Sequence, residues 1–124
     1  MKTIYFDCFS GVSGDMILGA LIDAGLDIGE LKAELAKLNV SGYKISAEKT
    51  ARNSIAGTKF NVEVSGEHHA KRRLQDIVEI IDRSTLDDDV KESSKKTFRN
   101  LAVVEAGIHG ESVDEIHFHE VGGL

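Results

Sequence analysis

The chain has 124 residues, of which 41% are hydrophobic and 29% are charged, and these proportions are typical of a single soluble globular domain. Its net charge of −6 argues against non-specific binding to nucleic acid, which needs a basic surface. The single cysteine excludes an intrachain disulfide, and no apolar run approaches the ~20 residues of a membrane span, so we expect a cytoplasmic protein with no signal peptide and no membrane contact.

An apolar run and two helical patterns open the chain. The run at 2–7, KTIYFD, is short and rich in β-favouring residues, so it predicts a buried strand. Apolar residues then recur at helical spacing between Gly14 and Gly25, and the second of these glycines suits a helix C-cap. The same spacing returns at 31–38 and predicts a second amphipathic helix.

Alternating apolar and polar residues predict a β-hairpin in the middle of the chain. In 42–51 (GYKISAEKTA) and 58–66 (TKFNVEVSG) every second side chain belongs to one face, and the turn formers RNSIAG separate the two runs. Ile55 has the opposite parity to Phe60, so we expect a β-bulge near Ala56–Gly57.

The second half of the chain predicts another helix pair and a last strand. The run 71–84, KRRLQDIVEIIDRS, places its apolar residues on one helical stripe. The next helix is expected to start at a cap on Ser84 or Thr85, with acids in its first turn, and to end near Gly107–Gly110. The run 115–121, EIHFHEV, then predicts a strand.

With each helix pair counted as one unit, the predicted order is β-α-β-β-α-β. This is the order of the ferredoxin-like sandwich, an α+β fold whose helices pack on one face of an antiparallel sheet. A looser α+β layer with the last strand unpaired is the alternative. We expect residues 1–124 to form a single domain.

The stretch DCFSGVSGDM at 7–16 is a candidate ligand-binding turn, because glycines let a ligand approach the backbone and a helix N-terminus offers free N–H groups. It lacks both the dinucleotide fingerprint and the P-loop ending, and Asp15 would repel phosphate, so a metal-bridged or hydroxyl-rich ligand fits better. We expect Ser13 to cap the helix with its side chain, and the alternative is a tight turn in which Ser13 and Asp15 serve only as cap and first-turn acid. The candidate ligand-binding residues are Asp7, Ser10, Gly11, Ser13, Gly14 and Asp15.

Histidines and a glutamate in the last 20 or so residues form a candidate metal site. On a strand, His117 and His119 point to the face opposite Phe118, while Glu105 and His109 share one face of a helix. The alternatives are surface histidines on an edge strand and a helix-end histidine paired with a glutamate. The predicted ligands of a divalent metal are Glu105, His109, His117 and His119, with Asp7 or Asp15 nearby.

Four segments together resemble the N-terminal region of the LarC family of nickel-insertion proteins, and the resemblance covers nearly the whole chain. The segments are YFDCFSGVSGDMILGALIDAG at 5–25, AGTKFNVEV at 56–64, VEAGIHG at 104–110 and HFHEVG at 117–122. The resemblance carries over, residue by residue, the six residues of the first motif together with Glu105, His109, His117, His119 and Glu120. It assigns no catalytic residue.

The resemblance implies a CTP-dependent nickel chelatase, a lyase-type enzyme that places nickel into pyridinium-3,5-bisthiocarboxylic acid mononucleotide. The product is the nickel-pincer cofactor of lactate racemase and related enzymes. Family proteins continue well past HEVG, and their nucleotide-binding domain lies in that continuation.

The resemblance therefore also implies an N-terminal fragment that is inactive alone. Its implied partners are nickel, the mononucleotide and the C-terminal domain, which holds CTP with magnesium or manganese, and we expect a homo-oligomer. Two alternatives stay open: a non-catalytic ferredoxin-like oligomerisation or regulatory module, and a hydrolase that uses a metal held by the same histidines.

Overall fold

Four helices and four strands of an α+β fold make up the part of the chain that the computed structural model describes, residues 3–65 and 72–118. The predicted α+β class, with its two helix pairs, central hairpin and strand after the last helix, is confirmed. In chain order the elements are α1 (Gly14–Asp23), α2 (Ile28–Ala36), β1 (Tyr43–Arg52), β2 (Ile55–Val64), β3 (Arg72–Arg73), α3 (Leu74–Arg83), α4 (Asp88–His109) and β4 (His117–Phe118).

The hairpin β1–β2 pairs in unbroken antiparallel register from Tyr43 opposite Val64 to Arg52 opposite Ile55. Its loop consists of two residues with φ of 49° and 65°, the left-handed conformation that a tight two-residue hairpin turn requires. The prediction of a β-bulge near Ala56–Gly57 is wrong, because the two strands pair without interruption. Ile55 lies at the tip of the hairpin and is 76% exposed, so no bulge is needed to turn its side chain toward the buried face.

Helix α1 packs on β2, and a glycine makes this close packing feasible. Gly19 is buried, and a Cβ atom at this position would lie 2.5 Å from the carbonyl oxygen of Thr58. Asp23, at the end of α1, accepts a hydrogen bond from the Thr58 hydroxyl at 2.5 Å and pairs with Lys49 at 2.5 Å. Since Lys49 and Thr58 are opposite each other in the hairpin, Asp23 ties the helix to both strands.

The main hydrophobic core lies between α3, α4 and β4. Phe118 is 4% exposed and meets Phe98 of α4 edge to face, with 5.9 Å between the ring centroids. Leu38, just after α2, also packs against this core and so joins the first half of the chain to the second. The buried members of the core are Ile77, Ile81, Ala102, Ala106, Ile116 and Phe118.

Helix α4 begins a few residues later than predicted, and it ends within the predicted range Gly107–Gly110. Ser84 is buried and its hydroxyl donates to the carbonyl of Ile81 at 2.6 Å, so this residue closes α3 rather than opening α4. Asp87 is the N-cap of α4, and two acids follow in the first turn as expected. Gly110 ends the helix in the left-handed conformation at φ 68°.

The buried strand predicted at 2–7 is wrong for residues 3–7, which form neither helix nor strand. Ile4, Tyr5 and Phe6 are 60%, 86% and 46% exposed. An apolar run becomes a strand only where a partner strand pairs with it, and neither of the two described sheets, β1–β2 and β3–β4, includes this segment. From α1 onward the element order is consistent with the predicted ferredoxin-like arrangement.

Candidate functional site

The turn before α1 has the tight backbone that its glycines predict. The N–H of Gly11 donates to the carbonyl of Cys8 at 3.0 Å, and the φ of Gly11 is 82°, a conformation that favours glycine. Gly14, the first residue of α1, has open space where a Cβ would lie. All six candidate ligand-binding residues of this turn are exposed, and they are Asp7, Ser10, Gly11, Ser13, Gly14 and Asp15.

Ser13 occupies the N-cap position of α1 but does not cap the helix with its side chain. Its carbonyl accepts the first helical hydrogen bond, from Ile17 at 3.1 Å, while its hydroxyl donates to the carboxylate of Asp15. The expectation of a Ser13 side-chain cap is therefore wrong. A charge-assisted hydrogen bond to the Asp15 carboxylate orients this hydroxyl instead.

Asp15 gives this turn a stable negative charge. The Ser13 hydroxyl is the main group that lowers the pKa of this carboxyl, helped by the N–H groups of Met16 and of Asp15 itself and by the charge of Lys59, with burial opposing them. A carboxyl whose pKa is lowered stays ionised at neutral pH. The turn can therefore accept hydrogen bonds from hydroxyl groups or bind a cation, and it repels a phosphate that is not bridged by a metal.

Glu105 and His109 are in contact near the end of α4, as their four-residue spacing predicts. The Oε2 atom of Glu105 lies 3.3 Å from Nε2 of His109, and the two side chains are 27% and 43% exposed. This position suits a helix-end histidine paired with a glutamate, because a helix C-terminus favours a histidine cation. It also suits a metal site, because a carboxylate can orient a metal-binding imidazole.

His117 lies on β4 with one buried neighbour on each side. Ile116 and Phe118 are 2% and 4% exposed, whereas His117 is half-buried, so the predicted alternation holds for these three residues. Arg73 is the register partner of His117 across the β3–β4 pair, and its Nε donates to Nε2 of His117 at 3.3 Å. The sequence pattern alone did not identify Arg73, because only the pairing of two distant segments brings it to the histidine.

Three of the four predicted metal ligands fall within residues 3–65 and 72–118. In that part of the chain, no group of three or more His, Cys, Asp or Glu side chains is placed to hold a metal ion. Glu105 and His109 contact each other, and His117 contacts Arg73. His119 and Glu120 lie outside the described residues, so the site of four ligands stays a prediction.

The candidate turn and the candidate metal ligands belong to different packed units of the fold. Helix α1 packs on β2, while β4 pairs with β3 and packs on the core between α3 and α4.

In the part of the chain that the structure describes, no helix is long and apolar enough to cross a membrane.

Similarity to known proteins supplies the family. Residues 4–124 match the family model described as "Nickel insertion protein". The chain is 52% identical to the pyridinium-3,5-bisthiocarboxylic acid mononucleotide nickel insertion protein of Acetivibrio thermocellus, with 100% of this chain and 32% of that protein covered. It is 46% identical to the protein of the same name from Lactiplantibacillus plantarum, with 100% and 34% covered.

The matched region is the N-terminal part of these relatives, and the chain spans about a third of their length. No solved structure is significantly similar to the chain. Because the family model covers nearly every residue, the chain belongs to the nickel insertion protein family.

Proposed function

We propose that this chain is the N-terminal domain of a protein that inserts nickel into pyridinium-3,5-bisthiocarboxylic acid mononucleotide. Membership of the family supports nickel as the metal handled, and the names of close relatives support the mononucleotide as its acceptor. Because the chain spans about a third of those relatives, the insertion reaction, its dependence on CTP with magnesium or manganese, and the supply of the lactate racemase cofactor are proposed for the whole protein.

The nickel ligands proposed within this chain are Glu105, His109, His117 and His119. The contact of 3.3 Å between Glu105 and His109 is the observation that carries this assignment, since it places a carboxylate and an imidazole together at the end of α4. The short segment that follows leads directly to His117 in β4. Imidazole and carboxylate groups suit a divalent metal such as nickel, which is here the substrate of the reaction.

The turn at 7–15 is proposed to bind the hydroxyl-rich part of the mononucleotide. Asp15 supports this role, because an exposed, ionised carboxylate can accept hydrogen bonds from ribose hydroxyls. The open space beside Gly11 and Gly14 supports close approach of a ligand to the backbone. The residues proposed for this site are Asp7, Ser10, Gly11, Ser13, Gly14 and Asp15.

The remaining part of the full-length protein is the proposed partner of this domain, and a cytoplasmic homo-oligomer is the proposed assembly. The N-terminal segment supports a partner, because Tyr5 and Phe9 are 86% and 95% exposed beside other apolar residues. Contiguous exposed apolar side chains are typical of surfaces that contact another protein or domain.

Nickel titration of the isolated chain by calorimetry tests the proposed ligands. Replacing both His117 and His119 by alanine is expected to weaken nickel binding about tenfold or more, since loss of metal-site residues has effects of at least that size. The matched control is the double replacement of His68 and His69, which removes the same number of imidazoles from another segment. Equal affinities of the two double variants would contradict the proposed site.

A non-catalytic oligomerisation module is the second candidate, and one surface favours it. Helix α4 exposes Val103, Val104 and Ile108 at 60%, 59% and 71%. An apolar patch of this kind suits self-association. Sedimentation of the wild-type chain with and without nickel separates the two candidates, because a module of this type would associate without any effect of the metal.

A further inference from the structure

Arg73 and His117 form a defined pair across the β3–β4 ladder. The two residues are opposite each other in the antiparallel register, and Nε of Arg73 donates to Nε2 of His117 at 3.3 Å. An arginine Nε–H can only donate, so Nε2 of the imidazole accepts and the ring proton of the neutral histidine lies on Nδ1.

Two anchors hold this pair in place. The backbone N–H of Arg73 donates to the Asp76 carboxylate at 2.8 Å, which fixes the arginine at the start of α3. On the other strand, Ile116 and Phe118 are 2% and 4% exposed, so the backbone on both sides of His117 is set by core packing. The fold therefore holds the two backbone positions opposite each other, and the exposed side chain of Arg73 reaches His117 from there.

With the ring proton on Nδ1, the lone pair on Nε2 that Arg73 occupies is the one through which this imidazole can bind a metal. A bound guanidinium also places a positive charge beside that nitrogen, which opposes the approach of a divalent cation. Nickel can bind Nε2 of His117 only after the arginine has moved away.

We infer that Arg73 blocks His117 until an anionic group of the mononucleotide takes the guanidinium. This inference rests on the proposed function. The acceptor is a mononucleotide with two thiocarboxylic acid groups, and a guanidinium binds carboxylate and phosphate in a bidentate manner, more strongly than it binds one neutral imidazole nitrogen. Binding of the acceptor thus uncovers a nickel ligand, so the metal is held more tightly at this position when its acceptor is present.

Nickel titration of four proteins tests the inference: the wild-type chain, Arg73→Gln, His117→Ala and the double variant. Each is measured with and without nicotinic acid mononucleotide, a probe that carries a pyridinium ring, one carboxylate and a phosphate. Arg73→Gln is expected to tighten nickel binding about fivefold, the factor to which one net hydrogen bond corresponds. The probe is expected to tighten nickel binding to the wild-type chain and to have no such effect on Arg73→Gln.

Arg83→Gln is the matched control for charge, because Arg83 is also an exposed arginine and pairs with Glu79 at 3.6 Å on α3. An equal change in Arg73→Gln and Arg83→Gln, or a change from Arg73→Gln that persists in the His117→Ala background, overturns the inference. If His117→Ala leaves nickel binding unchanged both with and without the probe, the proposed metal site fails instead, and the inference fails with it. If His117→Ala weakens binding and Arg73→Gln has no effect, only the inference fails.

A nuclear magnetic resonance measurement of the His117 ring nitrogens gives a second readout that does not need nickel. The wild-type chain is expected to show the ring proton on Nδ1. Both the Arg73→Gln substitution and the addition of nicotinic acid mononucleotide to the wild-type chain are expected to shift the Nε2 signal. An Nε2 signal that responds to neither change overturns the inference, whatever the nickel titrations give.

Discussion

Gly19 of α1 and Thr58 of β2 approach so closely that a Cβ atom at position 19 would lie 2.5 Å from the Thr58 carbonyl oxygen. That oxygen belongs to the backbone of a paired strand, so it cannot move aside as the end of a flexible side chain would. The contact sets the distance between the helix that follows the N-terminal turn and the hairpin beneath it.

Gly19→Ala is therefore expected to destabilise the chain by about 2 kcal/mol, the cost of overpacking a tight contact, even though alanine favours a helix more than glycine does. Urea unfolding followed by circular dichroism measures the change. The control is Gly107→Ala in α4, where a Cβ meets nothing within 4 Å. This control is expected to stabilise by about 0.5–1 kcal/mol through helix propensity alone. A gain in stability at both positions would show that α1 does not pack on β2 as described.

Asp23 is expected to make stability depend on acid pH. Hydrogen bonds from Lys49 and Thr58 lower the pKa of this carboxyl in the folded state, with the Lys49 bond as the larger cause. Because the folded pKa lies below the unfolded one, the stabilisation is complete above the unfolded value of about 3.9 and is lost as pH falls through the lower folded value.

Asp23→Asn tests this dependence when the free energy of unfolding is measured between pH 7 and pH 2. The difference between wild type and variant is expected to be constant at higher pH and to shrink below about pH 4. A difference that keeps its full size at pH 2 would mean that the ionised carboxylate is not what ties α1 to the hairpin.

Ser13 and Asp27 are both N-cap residues, and they are expected to respond differently to alanine. The Asp27 side chain accepts from the N–H of Glu30 at 3.0 Å, so Asp27→Ala is expected to cost about 1 kcal/mol of stability. The exposed Ser13 hydroxyl makes no such bond, so Ser13→Ala is expected to change stability by no more than about 0.5 kcal/mol.

Ser13→Ala is also expected to raise the pKa of Asp15 toward its ordinary value, because the hydroxyl is the main cause of the lowered pKa. A pH titration of the Asp15 carboxyl carbon by nuclear magnetic resonance measures this. An unchanged titration curve together with a loss as large as that of Asp27→Ala would mean that Ser13 caps the helix after all.

Local patterns predict those parts of the fold that local residues decide. Gly110 marks the end of α4 because a left-handed residue stops a helix wherever it occurs. The contact between Glu105 and His109 follows from their spacing on one helix. The segment containing Ile4 and Tyr5 differs, because its apolar composition predicts burial but carries no information about which surface would cover it.

The same limit applies to the candidate site. Arg73 and His117 are 44 positions apart in the sequence, and neither residue signals the other. Their contact appears only once β3 and β4 are paired, and β4 is positioned by its packing against α3 and α4. Contacts of this kind decide which nitrogen of a histidine is available to bind a metal. This property of the candidate site can therefore be read only from the folded structure.

X-ray absorption at the nickel edge is the most direct test of the central proposal, that histidines of this chain hold the nickel. The spectrum counts imidazole ligands around the metal. The wild-type chain with bound nickel and the mononucleotide probe is expected to show the scattering of several imidazoles, and the His117→Ala, His119→Ala double variant is expected to lose two of them. A nickel spectrum with no imidazole scattering, or one that is identical in wild type and variant, would contradict the account.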